Sequence, residues 1–182
     1  MSDIKFNYRI LIISQSTLAI AMGIFMPFWI IFIQKFGNGI ESFGFAMGLM
    51  ALAQSIASYF FGKYSDKFGR KIFLIIAGYA TILIVLSYTL INSLNQLYIL
   101  QILDGIISAI DLTVGQAFLA DITRKSTRGK DVGKYHAIVG IIASFAVMAG
   151  GVLAGRLGLK FLFYVTAIFM FISTTVLFWI KE

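Results

Sequence analysis

The sequence lacks cysteine altogether, and it has one histidine and one proline in 182 residues. Without cysteine there is no disulfide, no thiolate metal site and no Cys nucleophile. A single histidine excludes a His-cluster metal centre, and no motif implies a cofactor. Charge is scarce as well: Asp, Glu, Lys and Arg make up 13% of the chain, against about 25% in soluble domains. What fills the gap is apolar. Hydrophobic residues account for 59% and the mean hydropathy is +0.91, which together mark an integral membrane protein. The net charge of +7 would suit nucleic acid only if the basic residues shared one solvent-facing surface. They sit instead in short stretches between apolar runs, so no nucleic acid is expected.

Six apolar runs, each near the ~20 residues that a bilayer core requires, predict an all-α, polytopic bundle of six transmembrane helices. They cover approximately 8–34, 42–61, 71–91, 96–120, 133–155 and 159–180, in one domain over 1–182 with no strand pattern competing. The apolar segment after Arg9 is far longer than a signal-peptide core and has no small-residue cleavage site, so the first helix is expected to stay in the membrane. With the N-terminus inside, the inner set of basic residues is Lys5, Arg9, Lys63, Lys67, Arg70, Lys71, Arg124, Lys125, Arg128, Lys130, Lys134 and Lys181. The outer set is Lys35, Arg156 and Lys160. That bias predicts a multi-pass protein of the cell membrane with both termini cytoplasmic.

Between the second and third runs lies Gly62-Lys-Tyr-Ser-Asp66-Lys-Phe-Gly69-Arg70-Lys71, read as a tight loop between two membrane helices. Gly62 has no Cβ and is expected to let two helices close on each other. Asp66 can favour the positive end of a nearby helix and pair with Arg70, so the stretch can act as a latch. The pattern G-x-x-x-D-x-x-G-R-K resembles the signature loop between helices 2 and 3 of the major facilitator superfamily of transporters. The resemblance implies half of a twelve-helix fold, since that family has two six-helix halves. It also implies that Asp121, at the end of the fourth helix and seven residues before Arg128-Gly129, bonds Arg70 as part of the same gate. In helix 4 the family's R-x-x-x-G resembles Gln101 to Gly105, with Gln101 where the arginine would stand. In helix 5, Gly150-Gly151-Val-Leu-Ala-Gly155 resembles an altered antiporter G-P-x-x-G-G, which favours antiport.

The spans carry further candidates. In helix 1, Gln15 shares a face with Ala19, Met22 and Met26, and Pro27 predicts a bend that is either a gating kink or passive. In helix 2, Gly44 and Gly48 suit close packing or are incidental in a glycine-tolerant helix, and Gln54 should face inward. At 100° per residue, Gln101, Asp104, Ser108, Asp111 and Gly115 fall within about 80° of helix 4. A buried Asp costs on the order of 2.5–3.5 kcal/mol at the bilayer centre, so Asp104 and Asp111 are either functional or satisfied by a neighbouring helix. Gly151 and Gly155 form a further small-residue pair in helix 5. Helix 6 has no charge between Lys160 and Lys181 and reads as a lipid-facing or packing helix.

The leading expectation is secondary transport of a small organic solute by alternating access. The mode is proton-coupled efflux, with Asp104 or Asp111 carrying the proton, and the bundle pairs with a second six-helix half of the same or another chain in the lipid bilayer. The alternatives are a sugar or metabolite proton symporter half, a fragment that inserts without transporting, and a membrane enzyme. The last rests on Asp104-Gly105 and Ser108-Ala109, similar to the D-G-x-x-A-R opening of CDP-alcohol phosphotransferases, although no Arg follows. Metal-dependent lipid phosphotransfer would favour the enzyme, and substrate-driven proton movement the transporter.

Overall fold

In hydrocarbon every backbone N–H and C=O must find its partner within the protein, so a chain this apolar is driven into helices. The computed structural model describes residues 2–36, 39–123 and 126–181. Arg124 and Lys125, counted above among the inner basic residues, lie outside the described residues. Among the described residues six helical stretches are long and apolar enough to cross a membrane: Asp3–Ile33, Ile40–Phe68, Arg70–Ser87, Leu94–Asp121, Arg128–Leu157 and Leu159–Trp179, hereafter spans 1 to 6.

The expected loop between spans 2 and 3 is almost entirely helix. Lys63 to Phe68 contains no helix breaker, so span 2 runs on through Phe68 and span 3 begins at Arg70. Gly69 alone turns the chain, at φ +87°, a left-handed conformation that an L side chain rarely tolerates. Span 3 also ends at Ser87, short of the expected 91, because Thr89 and the Ser93 cap of span 4 start the turn earlier. Pro27 interrupts the α-helix of span 1. Span 1 is α-helical over Ser2–Phe25, tightens to a 3-10 turn over Met26–Phe28 and resumes over Trp29–Ile33.

The helices form two groups of three. Span 1 packs on spans 5 and 6, span 4 packs on spans 2 and 3, and the groups meet chiefly where span 3 lies against span 6. Glycines make the close approaches, but not the expected ones. A Cβ at Gly150 would sit 2.7 Å from the Ile24 carbonyl oxygen, and one at Gly23 would sit 2.8 Å from that of Ala143. One at Gly105 would overlap the Met50 carbonyl oxygen, and one at Gly78 the Thr174 hydroxyl. Around Gly44, Gly48, Gly62 and Gly155 a Cβ would meet nothing within 4 Å, and at Gly151 only the Phe28 ring at 3.6 Å. Within this bundle Gly44, Gly48, Gly62 and Gly155 therefore make no close helix approach and Gly151 makes only ordinary contact: glycine spacing alone does not say which face meets a neighbour.

Of the two readings of helix 6, lipid-facing or packing, span 6 follows the second. Half of its most apolar window is buried, the largest share of any span. It is tied antiparallel to span 1 by contacts spaced seven residues apart along span 1 and seven and eight residues apart along span 6 and its end. Asn7 exchanges hydrogen bonds with the Lys181 backbone at 2.6 and 2.9 Å, Ser14 and Ser173 donate to each other's carbonyls at 3.0 and 2.8 Å, and Thr166 donates to the Ala21 carbonyl at 3.3 Å. Both chain ends thus lie at one end of the bundle, the near end. The far end is sealed by rings from spans 1, 3 and 6: Trp29 packs 4.5 Å from Tyr88, and Phe25 4.7 Å from Phe163.

Candidate functional site

Spans 1 and 4, each central to its own group, flank a cavity of about 170 Å³ that spans 2, 3 and 6 complete. Gln15, Gln101, Asp104, Ser108 and Asp111 all line it. Gln54 stands behind, where its amide donates to the Ser108 hydroxyl at 3.1 Å. Ser108 in turn donates to the Gly105 carbonyl. The rest of the wall is soft: five of the seven methionines, Met22, Met26, Met47, Met50 and Met170, face it together with Phe25 and Trp29. Flexible, polarizable thioethers adapt to ligands of varied shape.

Gln101, at the position resembling the family arginine, is buried and accepts a 2.7 Å hydrogen bond from Tyr88. Its amide nitrogen reaches only the Met47 sulfur, at 3.9 Å. Tyr88 was missed in the sequence because it lies at the end of span 3, where a tyrosine looks like an interfacial anchor.

At Asp111 the α-helix widens into a π-turn over Asp111–Gly115. Such bulges shift every later residue around the axis and concentrate at functional positions. The polar stripe therefore ends at Asp111, and Gly115 does not line the cavity. The Thr113 hydroxyl takes the Ala109 carbonyl at 2.6 Å. A Cβ on Gly115 would come 3.3 Å from an Asp111 carboxylate oxygen, so glycine leaves room for that side chain to fold over the bulge. Asp104 is half-buried and Asp111 keeps exposed surface, both on the wall of the cavity.

A second, polar cavity of about 450 Å³ lies at the near end. Arg70 reaches Asp66 at 3.1 Å and Asp121 at 3.0 Å, the pair the resemblance implies. The contact to Asp121 is an ion pair by distance, without the alignment of a hydrogen bond. Asp66 and Asp121 are 67% and 58% exposed, so each pair contributes only about 0–1 kcal/mol. Lys71 donates to the Ile180 carbonyl at 2.6 Å, and Arg128 to the Ala120 carbonyl at 2.9 Å. Gly69 makes the turn, and Gly62 stands clear of it.

The family model described as Major Facilitator Superfamily matches residues 11–182. Among curated proteins, the chain is 30% identical over 153 residues to the uncharacterized MFS-type transporter YitZ of Bacillus subtilis, covering 84% of this chain and 93% of that protein. It is 29% identical to Multidrug resistance protein 2 of Bacillus subtilis over 90% of this chain, and 29% identical to the class B tetracycline resistance protein of Escherichia coli over the same share. Of each of those two it spans 41%.

Proposed function

Because the chain belongs to the major facilitator superfamily, a family of transporters rather than enzymes, we propose that it is a six-helix half of a secondary transporter that exports a small organic solute by alternating access, coupled to protons through helix 4. The observation that carries this reading is the cavity with Asp104 and Asp111 on its wall and no Lys or Arg among its lining residues. Two carboxylates in a membrane span are costly without a task. The methionine- and aromatic-rich remainder of the wall favours an amphipathic organic solute over a polyol, and the multidrug and tetracycline resistance relatives point the same way.

The basic residues favour the near end as cytoplasmic in the plasma membrane. A second six-helix half is the expected partner. Spans 2 and 5 are the least buried, at 17% and 11% of their most apolar windows, and the uncrowded Gly44, Gly48 and Gly155 lie on them.

The test is substrate-driven proton movement in vesicles of stated orientation, with tetracycline and amphipathic dyes as solutes. Asp104→Asn and Asp111→Asn should each change the pH dependence of transport, and the acid that couples should abolish proton movement when neutralised. If both variants transport with the parent's pH dependence, coupling through helix 4 is wrong.

A further inference from the structure

Gln101 is buried with only half of its hydrogen-bonding capacity used. It is 1% exposed to solvent, yet it lines the cavity. Its carbonyl oxygen accepts from the Tyr88 hydroxyl at 2.7 Å. Its amide nitrogen carries two N–H groups, and among the described residues the one side-chain acceptor it reaches is the Met47 sulfur at 3.9 Å, a thioether and therefore a weak acceptor. A donor left in this state in a low-dielectric interior is costly. A bound ligand is one way to supply the missing acceptor.

Tyr88 decides which end of the amide faces Met47 and the cavity. Its ring is held among Trp29, Phe32 and Phe163, with centroids 4.5, 6.3 and 6.2 Å away, so the hydroxyl has a fixed place. Turned over, Gln101 would set its carbonyl oxygen against the Met47 sulfur, two acceptors with no proton between them. The amide N–H is therefore presented and the carbonyl withdrawn.

Three residues on in the same regular helix, Asp104 lines the same cavity. Among the described residues it accepts from no side chain, whereas Ser108, a turn further, is engaged with Gln54 and with the Gly105 carbonyl. Three steps of helix rise about 4.5 Å and return nearly to the same face. The wall thus shows a fixed neutral donor and a free carboxylate about one turn apart, beside the apolar surface of Trp29 and the methionines.

We propose that Gln101 is a specificity-determining residue, held by Tyr88 as a positioning residue, and that with Asp104 it selects amphipathic amines bearing a carbonyl oxygen about 4–5 Å from the nitrogen. The carbonyl oxygen accepts from the Gln101 amide, the ammonium donates to Asp104, and the apolar part lies against Trp29. This selection rests on the reading of the cavity as the site of an organic solute.

The full chain in lipid nanodiscs is titrated calorimetrically with two probes, and the heats into empty nanodiscs are subtracted. The probes are tetracaine, an amphipathic amine ester, and its analogue with a methylene in place of the ester carbonyl. One neutral hydrogen bond is worth about two- to tenfold in affinity, so the parent should prefer tetracaine by that factor. In Gln101→Leu the preference should vanish, and in Tyr88→Phe, which keeps the ring and frees the amide, it should fall by about half or more. Asp104→Asn should weaken both probes and keep the preference, because each carries the same ammonium. Equal affinities in the parent, or a preference that survives Gln101→Leu, overturn the proposal. A preference unchanged in Tyr88→Phe overturns the positioning role, since a merely structural residue would weaken both probes together. Should Gln101→Leu fail to insert, the parent's preference and Tyr88→Phe decide. A parent that binds neither probe overturns the organic-solute reading and the subsite with it, whereas binding without preference overturns the subsite alone.

Discussion

A single methyl group at Gly105 tests the packing of spans 2 and 4 most directly. A Cβ there would overlap the Met50 carbonyl oxygen and lie 3.0 Å from the Ala53 Cβ. The obstacle is backbone, which cannot rotate aside, so the helices must separate. Overpacking of this kind costs about 1–3 kcal/mol, and replacing glycine by alanine in a helix returns about 0.5–1 kcal/mol. Because the clash is with backbone, the cost falls in the upper part of that range, at about 2–3 kcal/mol, and the expected net loss for Gly105→Ala is about 1–2.5 kcal/mol, a fall in Tm of roughly 2–10 °C for a chain of this size. Gly44→Ala and Gly48→Ala are the controls, since a Cβ at either meets nothing within 4 Å. They should melt at or slightly above the parent temperature. Thermal unfolding in one detergent, followed by the fluorescence of the buried Trp29, reads all three. Gly105→Ala melting no lower than the parent would refute the packing assigned to spans 2 and 4. Separation should also pull Gln54 from Ser108, so transport should fall along with stability.

Asp66→Asn removes one of the two acids on Arg70 and little packing, so transport should drop by up to about fivefold at unchanged membrane level, the weight of one exposed ion pair; parental activity at equal expression would remove the latch. Ser173→Ala removes both hydroxyl contacts to Ser14 and should cost about 0.6–1.7 kcal/mol. Thr175→Ala, whose hydroxyl only returns to the Phe171 carbonyl on an exposed face, should be close to neutral in the same melt, and equal losses for the two would argue against the span 1 to span 6 tie.

Hydropathy made the six spans legible, because burial in lipid leaves a 20-residue signal that needs no partner to interpret. The Gly62–Lys71 stretch was legible as chemistry but not as shape. Its charges suggested a loop, yet only Gly69 has backbone freedom that its neighbours lack, and the helix persists around it. Asp104, Asp111 and Gln101 could be found from the 100° stripe because each is rare inside a span. The π-turn after Ile110 could not, since periodicity assumes the regular helix that the bulge breaks. The ladder of Asn7, Ser14 and Ala21 against Lys181, Ser173 and Thr166 was present in the sequence. It carried no meaning until span 6 was known to lie antiparallel on span 1. Glycine pairs misled for the same reason: G-x-x-x-G marks a face along which helices can approach, and whether one does depends on the whole bundle.

The polar groups around the cavity largely satisfy one another and leave the acids aside. Tyr88 donates to Gln101, Gln54 to Ser108, and Ser108 to the Gly105 carbonyl. Asp104 accepts from no side chain among the described residues, while Asp111 has the Gln15 amide beside it. An ionised carboxylate only accepts hydrogen bonds. A wall with two such acceptors and no cation of its own will favour a proton or a donor-bearing solute and disfavour an anion. A guanidinium at position 101 would have supplied that charge permanently from within. Glutamine, turned toward Tyr88, supplies none, so among the described residues the two acids meet no cation on the cavity wall, which is the arrangement that the proposed proton coupling calls for.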